Sequence, residues 1–348
     1  MVSLPLSPSC WTIDQITVDG YVVVAELHPS VASAIPVAAE PGRVASNPDV
    51  VAGPLTIALI DVPDVLGLAL SNPTVLLAAS NATSGWKSRS VELGFSGQTI
   101  ATATARSKSV LGTALSVLAQ GGTDLADDRN SVEVTLVDPD QWLTSCDDGA
   151  LAAGENMAVL GSELLQFGQA TPLGEGRFRL THLLRGRGGT EWACTGHAAG
   201  ETFCVLQPGS LQSIALPLWT IGAALNASGA GANASVSFTG ESVRPRSPVS
   251  LTADFQASGD LLISWIRRSR QGFAWLDEID APLGETTEQY RVVITGTAGA
   301  SELTSNAPDL AISGELVASL GLGPVTIEVR QIGDFGTSRP TQISINMS

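Results

Sequence analysis

Short runs of alternating hydrophobic and polar residues follow one another along the whole chain, separated by Gly, Asn, Asp and Pro. The segment 131–137, Ser-Val-Glu-Val-Thr-Leu-Val, has the two-residue period of a half-buried strand. In 16–25, Asp19-Gly20 separates two apolar runs and predicts a hairpin, because glycine accepts the positive φ of a tight turn. Helical periodicity is confined to short stretches at 62–70 and 110–118. The pattern predicts an all-β fold of sandwiches or barrels with short helices.

Changes in composition divide the chain into segments. Residues 222–247 are rich in Gly, Ala, Ser and Asn, and prolines cluster at their end, which is typical of a domain edge. About 100 residues with regular strand spacing follow, and Trp265 offers them a large apolar core anchor. The predicted division is a β-rich N-terminal segment over 1–80, a second β domain over 81–215, a connector over 216–247 and a fibronectin type III-like sandwich over 248–348.

The composition excludes several partners. The formal net charge is −16 and charged residues make up only 15% of the chain. A surface this acidic repels phosphate, so we expect no nucleic-acid partner and no attraction to an anionic membrane. Residues 1–11 contain no basic residue and no apolar core of a signal peptide, and no run approaches the length of a membrane span. We therefore expect synthesis in the cytoplasm without a signal peptide and no membrane insertion.

Four cysteines, Cys10, Cys146, Cys194 and Cys204, are too few and too dispersed for a disulfide framework. We expect free, buried thiols that pack as small hydrophobic side chains. A bridge between Cys194 and Cys204 is the alternative, because the chain between them is short.

Two sequence strings carry a resemblance to a known family. One is Leu183-Leu-Arg-Gly-Arg-Gly-Gly-Thr-Glu191, preceded by Gly161-Ser-Glu-Leu-Leu-Gln-Phe167, and the other is Trp265-Ile-Arg-Arg-Ser-Arg270. From about residue 80 to about residue 300, the sequence resembles the C-terminal half of the large tail-tip protein of gene transfer agents and related siphophages. In that family a TIM-barrel-like, glycosidase-related region often precedes this half. The present sequence lacks it, so we expect a short relative or one part of a split hub.

The resemblance implies a structural virion protein and not an enzyme. It predicts a tail hub, baseplate or central-fibre component at the tail tip, acting in assembly and host attachment, with residues 81–215 as the hub-like domain. The implied partners are other tail and baseplate proteins, two further copies of the chain in a homotrimer, and a glycan or protein receptor on the host surface. It implies no cofactor.

The glycine-rich loop with Arg185 and Arg187 is the first candidate site. Its glycines and two positive charges are compatible with a phosphate cradle, but no Lys-Ser or Lys-Thr pair follows and no long helix opens. We therefore predict that the glycines allow a sharp turn and that the two guanidinium groups bind nearby carboxylates or carbonyls, with Glu163 and Glu191 as candidate partners.

A second basic group consists of Arg267, Arg268 and Arg270 near Trp275. An arginine stacked on tryptophan would suit a ligand patch. Acidic neighbours at 277, 278 and 280 favour a structural ion-pair cluster or a subunit contact instead.

No residue pattern indicates catalysis or metal binding. The sequence contains no G-x-S-x-G motif, and the spacing of His182 and His197 matches no metal-binding motif. Asp124–Asn130 contains carboxylates without the signature of a calcium loop, so a solvated loop is expected.

Two alternative functions are compatible with the sequence. A carbohydrate-binding adhesin would use exposed aromatic side chains, with Trp86, Trp142, Trp192 and Trp275 as candidates. A cell-wall glycan hydrolase is suggested only by the regions that accompany such hubs in related proteins.

Overall fold

The computed structural model describes residues 11–29, 53–64, 71–271 and 281–347. The chain forms two compact units, 1–51 and 52–348. Strands predominate in both, and the only α-helices among the described residues are two short ones. The predicted all-β fold class is therefore confirmed.

The first strands are β1 (Trp11–Asp19), β2 (Val22–Pro29), β3 (Thr56–Ile60), β4 (Thr74–Ser80), β5 (Arg89–Phe95) and β6 (Gln98–Ala105). The middle of the chain contains β7 (Leu111–Ala114), β8 (Val132–Leu136), α1 (Asp148–Ala152), β9 (Met157–Leu160), β10 (Glu163–Gly174), β11 (Arg177–Leu184), β12 (Thr202–Val205), β13 (Gln212–Ala215), β14 (Ala224–Gly229) and β15 (Ala232–Ser237). The C-terminal elements are β16 (Val249–Phe255), β17 (Leu261–Ile266), β18 (Gln289–Thr295), β19 (Ala300–Ser305), β20 (Asp309–Ile312), α2 (Gly314–Ser319), β21 (Gly323–Gly333), β22 (Gly336–Thr337) and β23 (Thr341–Met347).

In the N-terminal unit, β1 and β2 form an antiparallel hairpin. Asp19 pairs with Val22, so the tight turn lies at Gly20-Tyr21, one residue later than the sequence pattern suggested. Gly20 has a φ of 60°, a conformation that glycine adopts without a steric penalty. A register shift between Ile13 and Gln15 places an extra residue, Asp14, in β1.

A β-sandwich is assembled from two distant parts of the sequence. Its sheets have the strand orders β13-β4-β3 and β15-β14-β5-β6. Leu77, Leu93, Leu225 and Phe238 meet in the core between them. Residues 53–64, 71–105 and 212–237 thus share one core, and residues 106–211 are an insertion.

This division differs from the predicted boundaries of 1–80, 81–215 and 216–247. The predicted connector contains β14 and β15, which pair with each other, and β14 also pairs with β5. Along β14, Leu225 and Ala227 are buried while the residues beside them are not. Small side chains suffice there, because only one face of this hairpin meets the core. That low apolar content is why the segment resembled a linker.

The inserted segment is a closed six-stranded barrel with the strand order β10-β11-β8-β7-β12-β9. Phe167, Phe178 and Phe203 fill its interior with aliphatic side chains around them. The helix predicted over 110–118 is wrong over 111–114, because β7 pairs there with β8 and β12. Barrel closure supplies those hydrogen bonds, and a local sequence pattern contains no information about them.

The C-terminal module is a fibronectin type III-like sandwich. One sheet has the order β16-β17-β20, and the other contains β19-β18-β21, with β22 and β23 paired to β21. Trp265 is buried and meets the Tyr290 ring edge-on, with ring centroids 4.9 Å apart. The predicted role of Trp265 as a core anchor agrees with this position. Within the described ranges, no helix is long and apolar enough to cross a membrane.

Candidate functional site

The glycine-rich loop follows β11 and folds back over the start of β10. Gly186 and Gly188 have φ values of 62° and 64°, and Gly189 has 89°, all in the left-handed region. Two short 3-10 turns follow, at Arg187–Gly189 and Glu191–Ala193. A Cβ on Gly186 would lie 2.9 Å from the Cα of Glu191, so this position requires glycine on steric as well as conformational grounds.

Beneath the loop, Arg185 forms a bidentate ion pair with Glu163. Arg185 Nε donates to Glu163 Oε1 at 2.7 Å and Nη2 donates to Oε2 at 2.8 Å. Both side chains are fully buried. Arg185 Nη1 also donates to Asp127 Oδ2 at 3.2 Å. Buried charges are tolerated when they are paired and hydrogen-bonded in this way.

Glu163 accepts further hydrogen bonds from three other residues. The backbone N–H of Gly186 donates at 2.9 Å, His197 Nε2 lies 2.7 Å away, and Cys194 Sγ lies 3.3 Å away. Burial alone would raise the pKa of Glu163. The hydrogen bonds from His197 and Arg185 outweigh burial and hold that pKa below its ordinary value. We call Glu163, Arg185, Asp127, Cys194 and His197 the buried cluster.

His197 lies between two carboxylates. Its Nε2 faces Glu163 and its Nδ1 lies 2.7 Å from Glu201. The hydrogen bond to Glu163 raises the pKa of His197, the one to Glu201 adds to this, and burial opposes both. At neutral pH the imidazole is therefore held toward its protonated form, which suits a group that donates from both nitrogens.

The buried cluster is withdrawn from solvent beneath the loop. The Glu163 carboxylate has no exposed surface, and its oxygens are already occupied by donors. Burial raises the pKa of the Cys194 thiol to about 12, so the thiolate that nucleophilic chemistry needs is not formed. Cys146, Cys194 and Cys204 are all free thiols, and no disulfide joins Cys194 to Cys204.

Arg187 and Glu191 point to the outside of the loop. Glu191, proposed from sequence as a partner of the loop arginines, binds Arg268 of the C-terminal module, with Nη1 to Oε1 at 2.5 Å. Arg268 Nε also donates to the carbonyl of Ser247 at 2.7 Å. Arg187 is exposed and lines a cleft of about 380 Å³ between the barrel and the C-terminal module. The other cleft residues are Thr123, Met157, Arg185, Gly186, Gly188, Gly189, Glu191, Arg246 and Arg268.

The second basic group is dispersed. Arg270 Nε binds Glu285 Oε1 at 2.7 Å, and its guanidinium lies 5.5 Å from the centroid of the Phe335 ring. Arg267 Nη2 donates to the carbonyl of Ala281 at 3.0 Å. Trp275 lies outside the described residues. Arg268 contacts the barrel through its bonds to Glu191.

A second junction between modules contains Trp192, which the sequence indicated only as a candidate sugar-binding aromatic residue, together with residues that the sequence did not single out. The Arg339 guanidinium lies 3.4 Å from the centroid of the Trp192 ring, and its Nη2 binds Glu241 Oε1 at 2.8 Å. Trp192 belongs to the barrel, Glu241 follows the first sandwich and Arg339 belongs to the C-terminal module. Asp61 stabilises this region by accepting backbone hydrogen bonds from Thr239, Gly240 and Glu241. Only the tertiary structure brings these residues together.

His182 is bound on the barrel surface. Its Nδ1 lies 2.5 Å from Asp128 and its Nε2 lies 2.7 Å from Asp148. Across the described part of the chain, no group of three or more His, Cys, Asp or Glu side chains is placed to hold a metal ion.

Comparison with known proteins finds one family model that matches a segment of the chain. Residues 109–204 match the family model described as Rcc01698-like, C-terminal, and this segment corresponds to the barrel from β7 to β12. No curated protein matches the sequence.

Several solved structures are similar at low superposition scores. A two-domain fibronectin type III segment from chicken tenascin is 10% identical, with 84% of this chain and 99% of that chain covered and a TM-score of 0.26. A myokine structure is 14% identical, with 30% and 97% covered and a TM-score of 0.21. A polysaccharide deacetylase from Bacillus cereus is 15% identical, with 29% and 30% covered and a TM-score of 0.21. At such scores, the likeness carries no argument about function.

Proposed function

We propose that the chain is a structural component of the tail tip of a phage or gene transfer agent. It acts as a hub, baseplate or central-fibre protein in assembly and host attachment. The observation that carries this proposal is the family match over 109–204, which covers the barrel and includes the Leu183–Glu191 string of the sequence resemblance. The proposed partners are other tail and baseplate proteins and two further copies of the chain.

The geometry of the loop is consistent with a structural role. On its inner side the loop is bound to Glu163, and on its outer side Glu191 binds Arg268 of the C-terminal module. The Trp192–Arg339 contact adds a second connection between the same two modules. The loop thus contacts the barrel core on one side and the C-terminal module on the other. Its charged groups hold the two modules in a fixed orientation.

Labelling of assembled particles tests the proposed location. A tagged copy of the full chain would be expressed in the bacterium that produces the particles, and the tag would be located by gold labelling in electron micrographs. We expect label at the distal end of the tail. Label that is absent from purified particles, or that lies on the head, would refute the proposal.

The mass of the full chain in solution tests the proposed trimer. Light scattering after size exclusion is expected to give about three times the 35.8 kDa of one chain. A monomer at all concentrations would refute threefold assembly while leaving the location to be decided by labelling.

A carbohydrate-binding adhesin at the same location is a second candidate, and it is favoured by Trp142. This side chain is 66% exposed, and its ring is held edge-on against Phe178 at a centroid distance of 5.2 Å. Such an ordered, exposed ring suits stacking against a sugar. Trp86 is half-buried, and Arg339 covers Trp192.

A glycan array with the full chain tests this second candidate. Binding that disappears in Trp142→Ala and persists in Trp219→Ala, whose ring is similarly exposed, would support it. An array without hits, or equal binding by wild type and Trp142→Ala, would eliminate it.

A further inference from the structure

The hairpin of β1 and β2 has one face that is entirely apolar. Cross-strand pairs place Val18 with Val23, Ile16 with Ala25 and Ile13 with Leu27. Successive side chains along a strand alternate between faces, so these pairs share one face. Ile13 and Ile16 are three positions apart and would lie on opposite faces of a regular strand. Because Asp14 is an extra residue without a pairing partner in the register of β2, Ile13 lies on the same face as Ile16. We define the apolar face by Trp11, Ile13, Ile16, Val18, Val23, Ala25 and Leu27.

The opposite face is polar and acidic. It contains Asp14, Gln15, Thr17, Asp19, Glu26 and His28, with Val22 and Val24 among them. His28 Nδ1 lies 2.7 Å from Asp14, which places these two side chains on the same side of the hairpin. The hairpin is therefore amphipathic in the way that a strand pair covering a hydrophobic core is.

The large side chains of the apolar face are nevertheless exposed, from 41% for Leu27 to 67% for Val18. An isolated two-stranded hairpin is at best marginally stable in water, and an exposed apolar patch of this kind marks an interaction surface. Since no side chain on this face can donate or accept a hydrogen bond except the Trp11 indole, its partner must be apolar as well.

We infer that the apolar faces of hairpins from different copies of this chain pack against one another in its oligomer. Surfaces that are apolar throughout are typical of permanent assemblies of identical subunits, whereas transient interfaces are about as polar as ordinary surface. Among the described residues, no other pair of adjacent strands exposes a face that is apolar at every position, so a second hairpin is the matching surface within this chain.

Charge determines which faces can meet. The polar face carries the carboxylates of Asp14, Asp19 and Glu26 against the single imidazole of His28. Two polar faces from identical chains would therefore repel each other, while the apolar faces carry no charge. Packing at the usual distance of about 10 Å between stacked sheets would remove the apolar side chains from water and leave the acids outside.

The size of the face shows that the hairpin is part of a larger contact. A nine-residue strand is about 30 Å long and two strands are about 10 Å wide, which gives roughly 300 Å² per hairpin. A stable interface needs about 800 Å² from each partner. The inference therefore concerns the full chain, in which other surfaces contribute, and a hairpin peptide alone is not expected to dimerise.

Val23 and Val24 provide a matched pair of substitutions. They are adjacent in β2 and similarly exposed, but they lie on the apolar and the polar face respectively. Light scattering over a range of concentrations would compare full-length wild type, Val23→Asp and Val24→Asp. We expect Val23→Asp to raise the apparent dissociation constant by at least about tenfold, because it buries an unpaired carboxylate. Val24→Asp should associate like wild type.

The far-UV circular dichroism spectrum, which reports strand content and not association, is the folding control, and it should be unchanged in both variants. The inference is overturned if Val23→Asp associates like wild type, if Val24→Asp is equally impaired, or if the wild type remains monomeric. A monomeric wild type that still labels tail tips would overturn this inference and the proposed trimer on which it rests, but not the proposed location, because the location of the chain is measured independently.

Discussion

The loop end of the barrel and the core of the C-terminal sandwich are held together by different forces. Under the loop, a fully buried carboxylate binds an arginine, a histidine, a backbone N–H and a thiol. In the sandwich, Trp265 and Tyr290 pack with Ile263, Val292 and Ile327 in a core of apolar side chains. A glycine-rich loop has few apolar side chains to bury, so hydrogen bonds and charge must fix its position.

The difference has a consequence for specificity. Hydrophobic burial is non-directional and tolerates neighbouring arrangements of similar volume. A bidentate Arg–Glu pair has one good geometry, and breaking it leaves a buried charge without compensation. We therefore expect the stability of the loop region to depend on single charged groups. The stability of the sandwich should depend on the volume of its core side chains.

Removing the charge of Glu163 should produce the largest effect. Glu163→Gln leaves Arg185 buried without its carboxylate, and we expect a loss of roughly 3–5 kcal/mol in the free energy of unfolding. Urea denaturation measures it. Glu133→Gln, which disrupts the exposed pair with Arg179, is the control and should cost less than about 1 kcal/mol. Equal effects would contradict the assigned importance of the buried cluster.

Truncation of the sandwich core should have the next largest effect. Ile263 is fully buried, and Ile263→Ala should cost roughly 2–5 kcal/mol through lost burial and the cavity left behind. Urea denaturation, monitored by tryptophan fluorescence, measures this loss of stability. Ile263→Val should cost only about 0.5–1.5 kcal/mol. If the two variants were equally unstable, volume would not be the controlling quantity.

The pH dependence of stability should distinguish the two regions. The pKa of His197 is raised by folding, so its contribution is complete below its ordinary pKa and is lost as pH rises through the raised value. The pKa of Glu163 is lowered by folding, so its contribution is present above the ordinary carboxylate range and is lost as pH falls through the lowered value.

We therefore expect barrel stability to fall on both sides of a maximum, by about 1.5–3 kcal/mol for the His197 phase. His197→Gln should remove most of the alkaline phase. His182→Gln is the comparison, because hydrogen bonds to Asp128 and Asp148 also raise the pKa of His182 at the surface. The sandwich contains no histidine and should show no such phase. An alkaline phase unchanged in His197→Gln would contradict this assignment.

The ion pair between the barrel and the C-terminal module should make the smallest contribution to stability. Glu191 and Arg268 are partly exposed, so solvent screens their attraction, and a double-mutant cycle with alanine should give a coupling of about 1 kcal/mol or less. The Arg291–Glu302 pair, within the sandwich, is the control for an ion pair that joins no modules. Raising the salt concentration should weaken both couplings. A coupling energy between Glu191 and Arg268 as large as the loss of unfolding free energy in Glu163→Gln would show that the loop stabilises the protein mainly through its contact with the C-terminal module.

Local periodicity identified many of the strands but not how they are connected. The alternation in 131–137 predicted β8, and Asp19-Gly20 indicated the hairpin to within one residue. Nothing in the sequence indicates that 53–64, 71–105 and 212–237 form one sandwich and that a barrel is inserted into it. Strand pairing joins residues that are distant in sequence, and an alternating pattern specifies which face is buried but not which strand is the neighbour.

The candidate residues show the same limit. Residue types alone suggested that Arg185 would bind a carboxylate and named Glu163, because a glycine-rich turn beside a strand brings charges close together. Glu191 was also named, but it binds Arg268, 77 positions further along the chain. His197 and Asp127 were not recognised as members of the buried cluster, since their spacing from Glu163 matches no local motif.

By itself, the sequence determined the all-β class, the buried face of many strands, the glycine turn after β11 and the acidic character of the chain. These follow from residue size, polarity and backbone freedom, which act over a few neighbours. The tertiary structure alone decided the insertion of the barrel into the first sandwich, the choice of Glu163 for Arg185, and the pairing of Glu191 with Arg268. Those outcomes depend on burial and on distances between atoms that only the folded chain brings together.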